Sequence, residues 1–181
     1  KLKDRGIYIL GDITNLPLRA NSVDSAISLH TIYHVPENEQ GYAVKELHRV
    51  IKPHSTGIIV YHWGKYSLLM NLTTLHLRIL AKLRKKLTAF WERGDRKSVA
   101  IASSELYFHT HNYKWFKQQA EASNINMDIS IWRSVNLLFL QTYIHGWLFG
   151  KQILDLIYRL EESFPKLAAK IGQYPMLIIQ K

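Results

Sequence analysis

Two short apolar runs near the start of the chain constrain its fold most strongly. Residues 7–10 are Ile-Tyr-Ile-Leu and precede Gly11-Asp12, while residues 23–29 are Val-Asp-Ser-Ala-Ile-Ser-Leu and precede His30-Thr31. Their short length and their β-branched residues favour buried strands over helices. The segment between them is too short for a helical crossover, so the two strands need not be neighbours in a sheet.

Helical and strand patterns follow one another along the rest of the chain, which predicts an α/β fold. Asn112 is a candidate helix N-cap, Pro165 suits the first turn of a helix, and Asn124 tolerates a left-handed backbone. The apolar spacing predicts helices over residues 38–51, 66–91, 111–123 and most of 135–172, and strands over residues 57–61, 125–132 and 174–181.

The composition is that of a globular protein and excludes thiol chemistry. The 181 residues suit one domain with a substantial core, and 47% of them are hydrophobic. There is no cysteine, so the chain has no disulfide, thiol nucleophile or thiolate metal site, and we expect a cytoplasmic protein. The most apolar run, residues 135–150, is too short and too polar for a membrane span.

The positive charge is concentrated in one segment. The net charge is +10, and residues 65–97 alone contribute +7. On the predicted helix in this segment, Arg78, Lys82, Lys85 and Lys86 share a face away from the apolar positions. Such a face can attract RNA or an anionic membrane surface, which would make the protein membrane-peripheral, or it can simply be solvated.

Three motifs resemble those of class I S-adenosylmethionine (SAM)-dependent methyltransferases of the type 11-like group. Gly11-Asp12-Ile13, followed by Leu16-Pro17, resembles the loop after that family's third strand. Residues 22–30 resemble its fourth strand and the active-site edge, and residues 46–53 resemble the next helix and its exit. The family usually has Pro-Gly-Gly at this exit, where the present chain has Pro53-His54-Ser55.

The resemblance implies a Rossmann-like sheet from strand three onward, with strand seven antiparallel between strands five and six. The glycine-rich first motif and the acidic ribose-binding residue of the family are not found, so we expect residues 1–181 to be the C-terminal part of one methyltransferase domain. A missing N-terminal segment or a second chain would then complete the sheet, and the fragment alone would be inactive and would bind SAM weakly. Residues 66–92 and 135–172 are expected to be helical insertions that cap the active-site mouth.

The resemblance also implies which residues bind the cofactor, S-adenosyl-L-methionine. Asp12 would accept a hydrogen bond from the adenine amino group, and the backbone amide of Ile13 would meet the ring. Asp12 has an alternative role as a turn residue that bonds its own backbone. The residues expected to contact the methionine part are Ser28, Leu29, His30 and Thr31.

Several histidines are candidate bases or substrate contacts. His34 is the best-placed base because it follows the fourth strand, and His30 is the second catalytic candidate. An acceptor pocket is predicted around His62, Tyr107, His109 and His111, although each histidine could equally be a packed side chain. His109 and His111 could place two imidazoles together, but no third ligand is evident, so no metal site is predicted.

Three functions are compatible with these observations. The first is SAM-dependent methyl transfer to a small-molecule or lipid- or sugar-like acceptor. The second is methylation or binding of RNA through residues 65–97. The third is a non-catalytic protein, either methyltransferase-like or bound at an anionic membrane surface.

Overall fold

A four-stranded mixed sheet forms the centre of the protein. The computed structural model describes residues 6–91 and 107–181, with the side chains of residues 78 and 86–91 left out. The strands are β1 (Val23–Leu29), β2 (Ile51–Val60), β3 (Asn126–Arg133) and β4 (Tyr174–Gln180). The order is β1-β2-β4-β3; β1 and β2 are parallel, and β4 runs antiparallel to both of its neighbours. This confirms the α/β prediction.

Seven helices connect and flank the strands of the described chain: α1 (Gln40–Val50), α2 (Leu68–Thr73), α3 (Leu75–Trp91), α4 (Tyr113–Ala122), α5 (Leu137–Tyr143), α6 (Gly150–Ser163) and α7 (Pro165–Ile171). The three local signals read from the sequence are all present. The Asn112 side chain caps α4 by accepting from the Trp115 N–H, Pro165 starts α7, and Asn124 has a φ of 51°. None of the described helices combines the length and apolarity that a membrane crossing requires.

The core lies between the two central strands and the helices α1 and α4. Ile59 of β2 and Leu177 of β4 are fully buried, as are Ala43 of α1 and Phe116 of α4. The parallel β1–β2 pair places the carboxyl ends of both strands at one edge of the sheet. Side chains that follow these strands are therefore brought together above that edge.

Residues 7–10 were predicted to be a buried strand, and this prediction is wrong for the described structure. They form no strand, and Ile7 and Leu10 are 91% and 101% exposed. A strand needs a neighbour for its backbone groups and cover for its apolar side chains. Within the described residues, β1 pairs with β2 and with no other strand. Residues 7–10 therefore have no adjacent strand with which to pair.

The strand predicted over residues 57–61 begins earlier than expected, at Ile51. Its first part contains a bend at Pro53-His54, where His54 adopts a φ of 60°. The His54 N–H donates to the Lys181 carbonyl at 2.6 Å, and the Lys181 N–H donates to the Ser55 carbonyl at 3.1 Å. These bonds tie the bend to the end of β4, at the place where the family usually has glycine.

Candidate functional site

The ends of β1 and β2 form the floor of the candidate site. The His30 N–H donates to the Val60 carbonyl at 3.0 Å, so the two strand ends stay in register. Above them, the ring of Tyr33 lies 6.1 Å from that of His30 and 5.8 Å from that of His62, centroid to centroid. The ring of Tyr174, at the start of β4, also lies close to both imidazoles, at 5.3 and 5.1 Å between centroids. The site is thus an aromatic cluster built around two histidines.

Four buried polar atoms at or next to these strand ends have no hydrogen-bond partner among the described residues. They are Ser28 Oγ, His30 Nδ1, His62 Nδ1 and Gln173 Oε1. Buried polar atoms are nearly always paired in folded proteins, because desolvation without a partner costs about 1–3 kcal/mol. These four atoms are therefore available to bond a polar ligand or ordered water.

The two histidines of this cluster are held in the neutral form. Burial lowers the pKa of His62 to about 4, and nearby His30 adds to the effect. Burial also lowers the pKa of His30, with a smaller contribution from Arg133, whose guanidinium lies 4.7 Å from the centre of the Tyr174 ring. At neutral pH the site therefore holds two uncharged imidazoles.

His34 has a geometry that suits a proton acceptor. Its Nδ1 lies 2.9 Å from the backbone carbonyl of Tyr107. A carbonyl oxygen can only accept, so this contact places the proton of a neutral imidazole on Nδ1 and leaves a lone pair on Nε2. The His34 ring also packs against Tyr33 at 4.5 Å, which links it to the strand-end cluster.

The predicted acceptor residues are divided between two places. His62 lies in the strand-end cluster, where Phe108 packs 5.6 Å from its ring. Tyr107 and His111 instead line a cleft of about 640 Å³ between the first turns of α1 and α4. The other lining residues are Glu37, Asn38, Gly41, Trp115 and Gln119. His109 lies beside this cleft, with its Nε2 3.2 Å from a carboxylate oxygen of Glu37.

The Asp12 side chain bonds within its own turn, which was the alternative to adenine binding. Its Oδ1 accepts from both the N–H and the hydroxyl of Thr14, each at 2.8 Å. These two bonds hold the pKa of the Asp12 carboxyl below its usual range. Asp12 is exposed, whereas Ile13 packs against the core, so the loop presents its carboxylate to solvent.

The remaining predicted cofactor residues follow Ser28 at the end of β1. Ser28 is buried, while Leu29 is 57% exposed and Thr31 is also exposed. The Thr31 hydroxyl donates to the Leu29 carbonyl at 3.1 Å. His30 has a φ of 57°, a left-handed backbone conformation that turns the chain at the end of β1.

A charged pair on α1 anchors the Asp12 loop, and sequence reasoning assigned it no such role. Glu46 and Arg49 form two ion-pair contacts, Oε1 to Nε at 2.6 Å and Oε2 to Nη2 at 2.7 Å. Glu46 also accepts from the Leu16 N–H, and Arg49 donates to the carbonyls of Leu16 and Leu18. The i,i+3 spacing of an acid and a base within residues 46–53 was the available signal.

We expect the change Arg49→Met to detach this loop. Two loop carbonyls and the Glu46 carboxylate lose their charged donor. The free energy of unfolding measured by urea denaturation is expected to fall. Lys45→Met, on the same helix, is the control and should change little; equal losses in the two variants would contradict the anchoring role.

The basic helix is described only in part. Lys82 and Lys85 are exposed, while the side chains of Arg78 and Lys86 lie outside the described ones. The apolar positions of α3 are also exposed; Leu75, Ile79 and Leu83 each keep about half of their surface in contact with solvent. The described apolar positions of this helix are therefore only about half covered by the rest of the described chain.

Part of the chain is similar in sequence to known methyltransferases. Residues 1–59 match a family model described as a methyltransferase domain. An uncharacterised methyltransferase of Oceanobacillus iheyensis is 36% identical over 62 residues, which are 34% of this chain and 28% of that protein. The chain therefore matches less than a third of the curated relative.

Two solved structures share the fold. A SAM-dependent methyltransferase from Archaeoglobus fulgidus superposes with a TM-score of 0.53 at 12% identity, covering 99% of this chain and 69% of that one. The [4+2]-cyclase SpnF superposes with a TM-score of 0.50 at 15% identity, covering 99% of this chain and 58% of that one. These two similarities show that the chain has this fold. The second also shows that a protein with this fold can catalyse a reaction other than methyl transfer.

The chain has an α/β fold with a four-stranded mixed sheet, and this fold matches that of a solved SAM-dependent methyltransferase over nearly the whole chain. Residues 1–59 match the methyltransferase-domain family, which confirms the resemblance read from the motifs in this part of the chain. The cofactor that this family implies is S-adenosyl-L-methionine. The unpaired Ser28, His30 and His62 atoms fit a polar ligand of this kind.

Proposed function

We propose that the intact protein transfers the methyl group of SAM to a small-molecule or lipid- or sugar-like acceptor. The observation that carries this proposal is the set of unpaired buried polar atoms at the strand ends, where class I methyltransferases bind their cofactor. In this proposal, Asp12 and Ile13 bind the adenine end. Ser28, Leu29, His30 and Thr31 contact the methionine end.

The electrostatics of the strand-end cluster suit this cofactor. When bound, SAM supplies an electrophilic methyl group on a positively charged sulfur. Neutral His30 and His62 avoid the repulsion that protonated imidazoles would impose on that charge. His34 Nε2 would accept the proton that an acceptor hydroxyl or amine loses as its lone pair attacks the methyl carbon.

The helices of residues 66–92 and 135–172 are proposed to cap the acceptor. They begin beyond the ends of β2 and β3, and several of their described apolar side chains are exposed, although Met70, Val135 and Phe139 are buried. Leu72 of α2 is 73% exposed, and Leu156 of α6 is 58% exposed. Apolar side chains left open to solvent beside a polar site suit an acceptor that carries an apolar part.

The test of methyl transfer uses the intact protein with SAM and a panel of metabolites, and it measures a mass gain of one methyl group. For an acceptor that must lose a proton, His34→Gln is expected to lower kcat/KM by about 10²–10⁴-fold, the usual contribution of a general base. SAM affinity should be unchanged in this variant, and His54→Gln serves as the control. Failure of the intact protein to bind SAM would overturn the proposal.

The open edge of β1 is proposed to be covered in the intact protein, by a further segment or by a second chain. Ile27 and Leu29 of β1 are more than half exposed, and the apolar side chains of residues 7–10 are exposed as well. Unpaired strand edges readily pair with other chains. We propose that residues 1–181 alone bind SAM weakly and are inactive; micromolar binding by a verified monomer of this length would contradict this.

RNA is the second candidate acceptor, favoured by the exposure of Lys82 and Lys85 on the basic helix. Binding through several lysines would release counterions, so RNA affinity should fall steeply as salt is raised. A salt-independent affinity, or none at about 50 mM salt, would remove this candidate. The same lysines could instead contact an anionic membrane surface, in which case liposomes and not RNA would be retained.

A further inference from the structure

A carboxylate and two imidazoles meet at the mouth of the cleft between α1 and α4. One ligand atom of each of Glu37, His109 and His111 lies within 4.8 Å of those of the other two. His109 Nε2 is 3.2 Å from Glu37 Oε1, and the two imidazole rings are 5.0 Å apart. Ligands of one tetrahedral ion at about 2.0–2.1 Å stand about 3.4 Å apart, so small side-chain rotations would bring all three onto one centre.

The backbone that carries the two histidines is fixed by the core. The His111 N–H donates to the Tyr61 hydroxyl at 3.1 Å, and the His109 carbonyl accepts from Gln40 Nε2 at 3.0 Å. Both Tyr61 and Gln40 are fully buried. The histidine pair is therefore held by the interior of the protein and does not depend on a surface loop for its position.

The side chains of the cluster are also oriented. The His111 ring stacks on Trp115, with centroids 3.7 Å apart and planes inclined by 2°. Its Nε2 lies 3.3 Å from the Glu37 carbonyl. The Glu37 N–H donates to the Tyr107 hydroxyl at 2.9 Å, which ties the carboxylate-bearing residue to the histidine segment. Stacking and backbone bonds of this kind preorganise a ligand set.

We propose that Glu37, His109 and His111 form a binding site for a divalent transition-metal ion of the zinc type. Two imidazoles and one carboxylate are the donor set that such ions prefer, whereas Mg²⁺ and Ca²⁺ prefer oxygen ligands alone. Three protein ligands leave a fourth position open, as in catalytic zinc sites, and two of the three ligands, Glu37 and His111, line the cleft. The site is separate from the strand-end cluster around His30 and His62.

The distance in sequence between Glu37 and the two histidines explains why no metal site was predicted from the sequence. His109 and His111 stand two positions apart, but Glu37 lies more than seventy residues earlier in the chain. It reaches the histidines because the His109 N–H donates to the Tyr33 carbonyl at 2.9 Å, which aligns the two segments. Spacing in the sequence cannot show a contact of this range.

The test is calorimetric titration of the tag-free intact protein with Zn²⁺, with Mg²⁺ as the comparison ion. One Zn²⁺ site per chain is expected to disappear in the double variant His109→Ala, His111→Ala. Glu37→Gln should weaken it by at least about tenfold, since even outer contacts of a metal site are worth about 10–100-fold. Co²⁺ should give visible absorption bands with the wild type and not with the double variant.

His145→Gln is the matched control. His145 also stacks on a tryptophan, Trp147, at 5.9 Å, but it belongs to no group of three potential ligands in the described residues. This variant should bind Zn²⁺ like the wild type. Circular dichroism checks that each variant is folded. Unchanged Zn²⁺ affinity in a folded double variant, or equal loss in His145→Gln, would overturn the proposal.

Discussion

Replacing Trp63 with alanine is expected to lower the free energy of unfolding by about 3–5 kcal/mol, the range for a large aromatic side chain removed from a core. Trp63 is 1% exposed and contacts the rings of Tyr61 and Phe116, both at 5.8 Å. Its Nε1 donates to the Ala169 carbonyl of α7 at 2.6 Å. The change removes a buried side chain and the bond that joins α7 to the end of β2.

Urea denaturation of the intact protein measures this loss, and two further variants locate its cause. Trp63→Phe keeps an aromatic ring but leaves the Ala169 carbonyl unpaired, so a smaller loss of about 1–3 kcal/mol is expected. Trp147→Ala is the control because Trp147 is 78% exposed, and it should stay within about 0.5 kcal/mol of the wild type. Equal losses for Trp63→Ala and Trp147→Ala would contradict the assigned packing.

The sheet could be predicted from the sequence because its signals are local. The apolar runs of β1 and β4, the alternation in β3 and the punctuation by Asn112, Asn124 and Pro165 each act within a few residues. The order of the strands came from the resemblance to a known family and not from periodicity. Apolar patterns show that strands exist but do not say which strands are neighbours.

The patterns that misled concern apolar residues whose burial depends on contact with another strand or helix. Residues 7–10 have the composition of a strand, but no strand of the described chain pairs with them. The apolar positions of α3 have a helical spacing, yet Leu75 and Leu83 remain about half exposed. Periodicity reports that a face could be buried; whether it is buried depends on another element that covers it.

The sequence indicated several residues of the candidate site but not which of them are in contact. The sequence indicated His30, His34 and His62, and the structure brings all three around Tyr33. It gave no reason to join Glu37 to His109, or Glu46 to the Asp12 loop. Both contacts connect segments far apart in the chain, which spacing in the sequence does not show.

Tyr61 has the second largest expected effect because one buried hydroxyl serves two groups. It donates to Gln40 Oε1 at 2.7 Å and accepts from the His111 N–H at 3.1 Å. Tyr61→Phe leaves both of these buried groups unpaired, at about 1–3 kcal/mol each, so a loss of about 2–4 kcal/mol in the free energy of unfolding is expected. Tyr42→Phe, on an exposed ring of α1, is the control and should be nearly neutral.

The pH dependence of stability provides a second readout for Tyr61. Burial raises the pKa of its hydroxyl above the ordinary value of 10.0, so the folded state keeps the proton after the unfolded chain has lost it. The stability that this group contributes is complete below pH 10 and declines as the pH rises beyond it. The difference in unfolding free energy between wild type and Tyr61→Phe should therefore be constant near neutral pH and shrink above pH 10. A difference that instead grew above pH 10 would show that the hydroxyl is not held in its protonated form by the core.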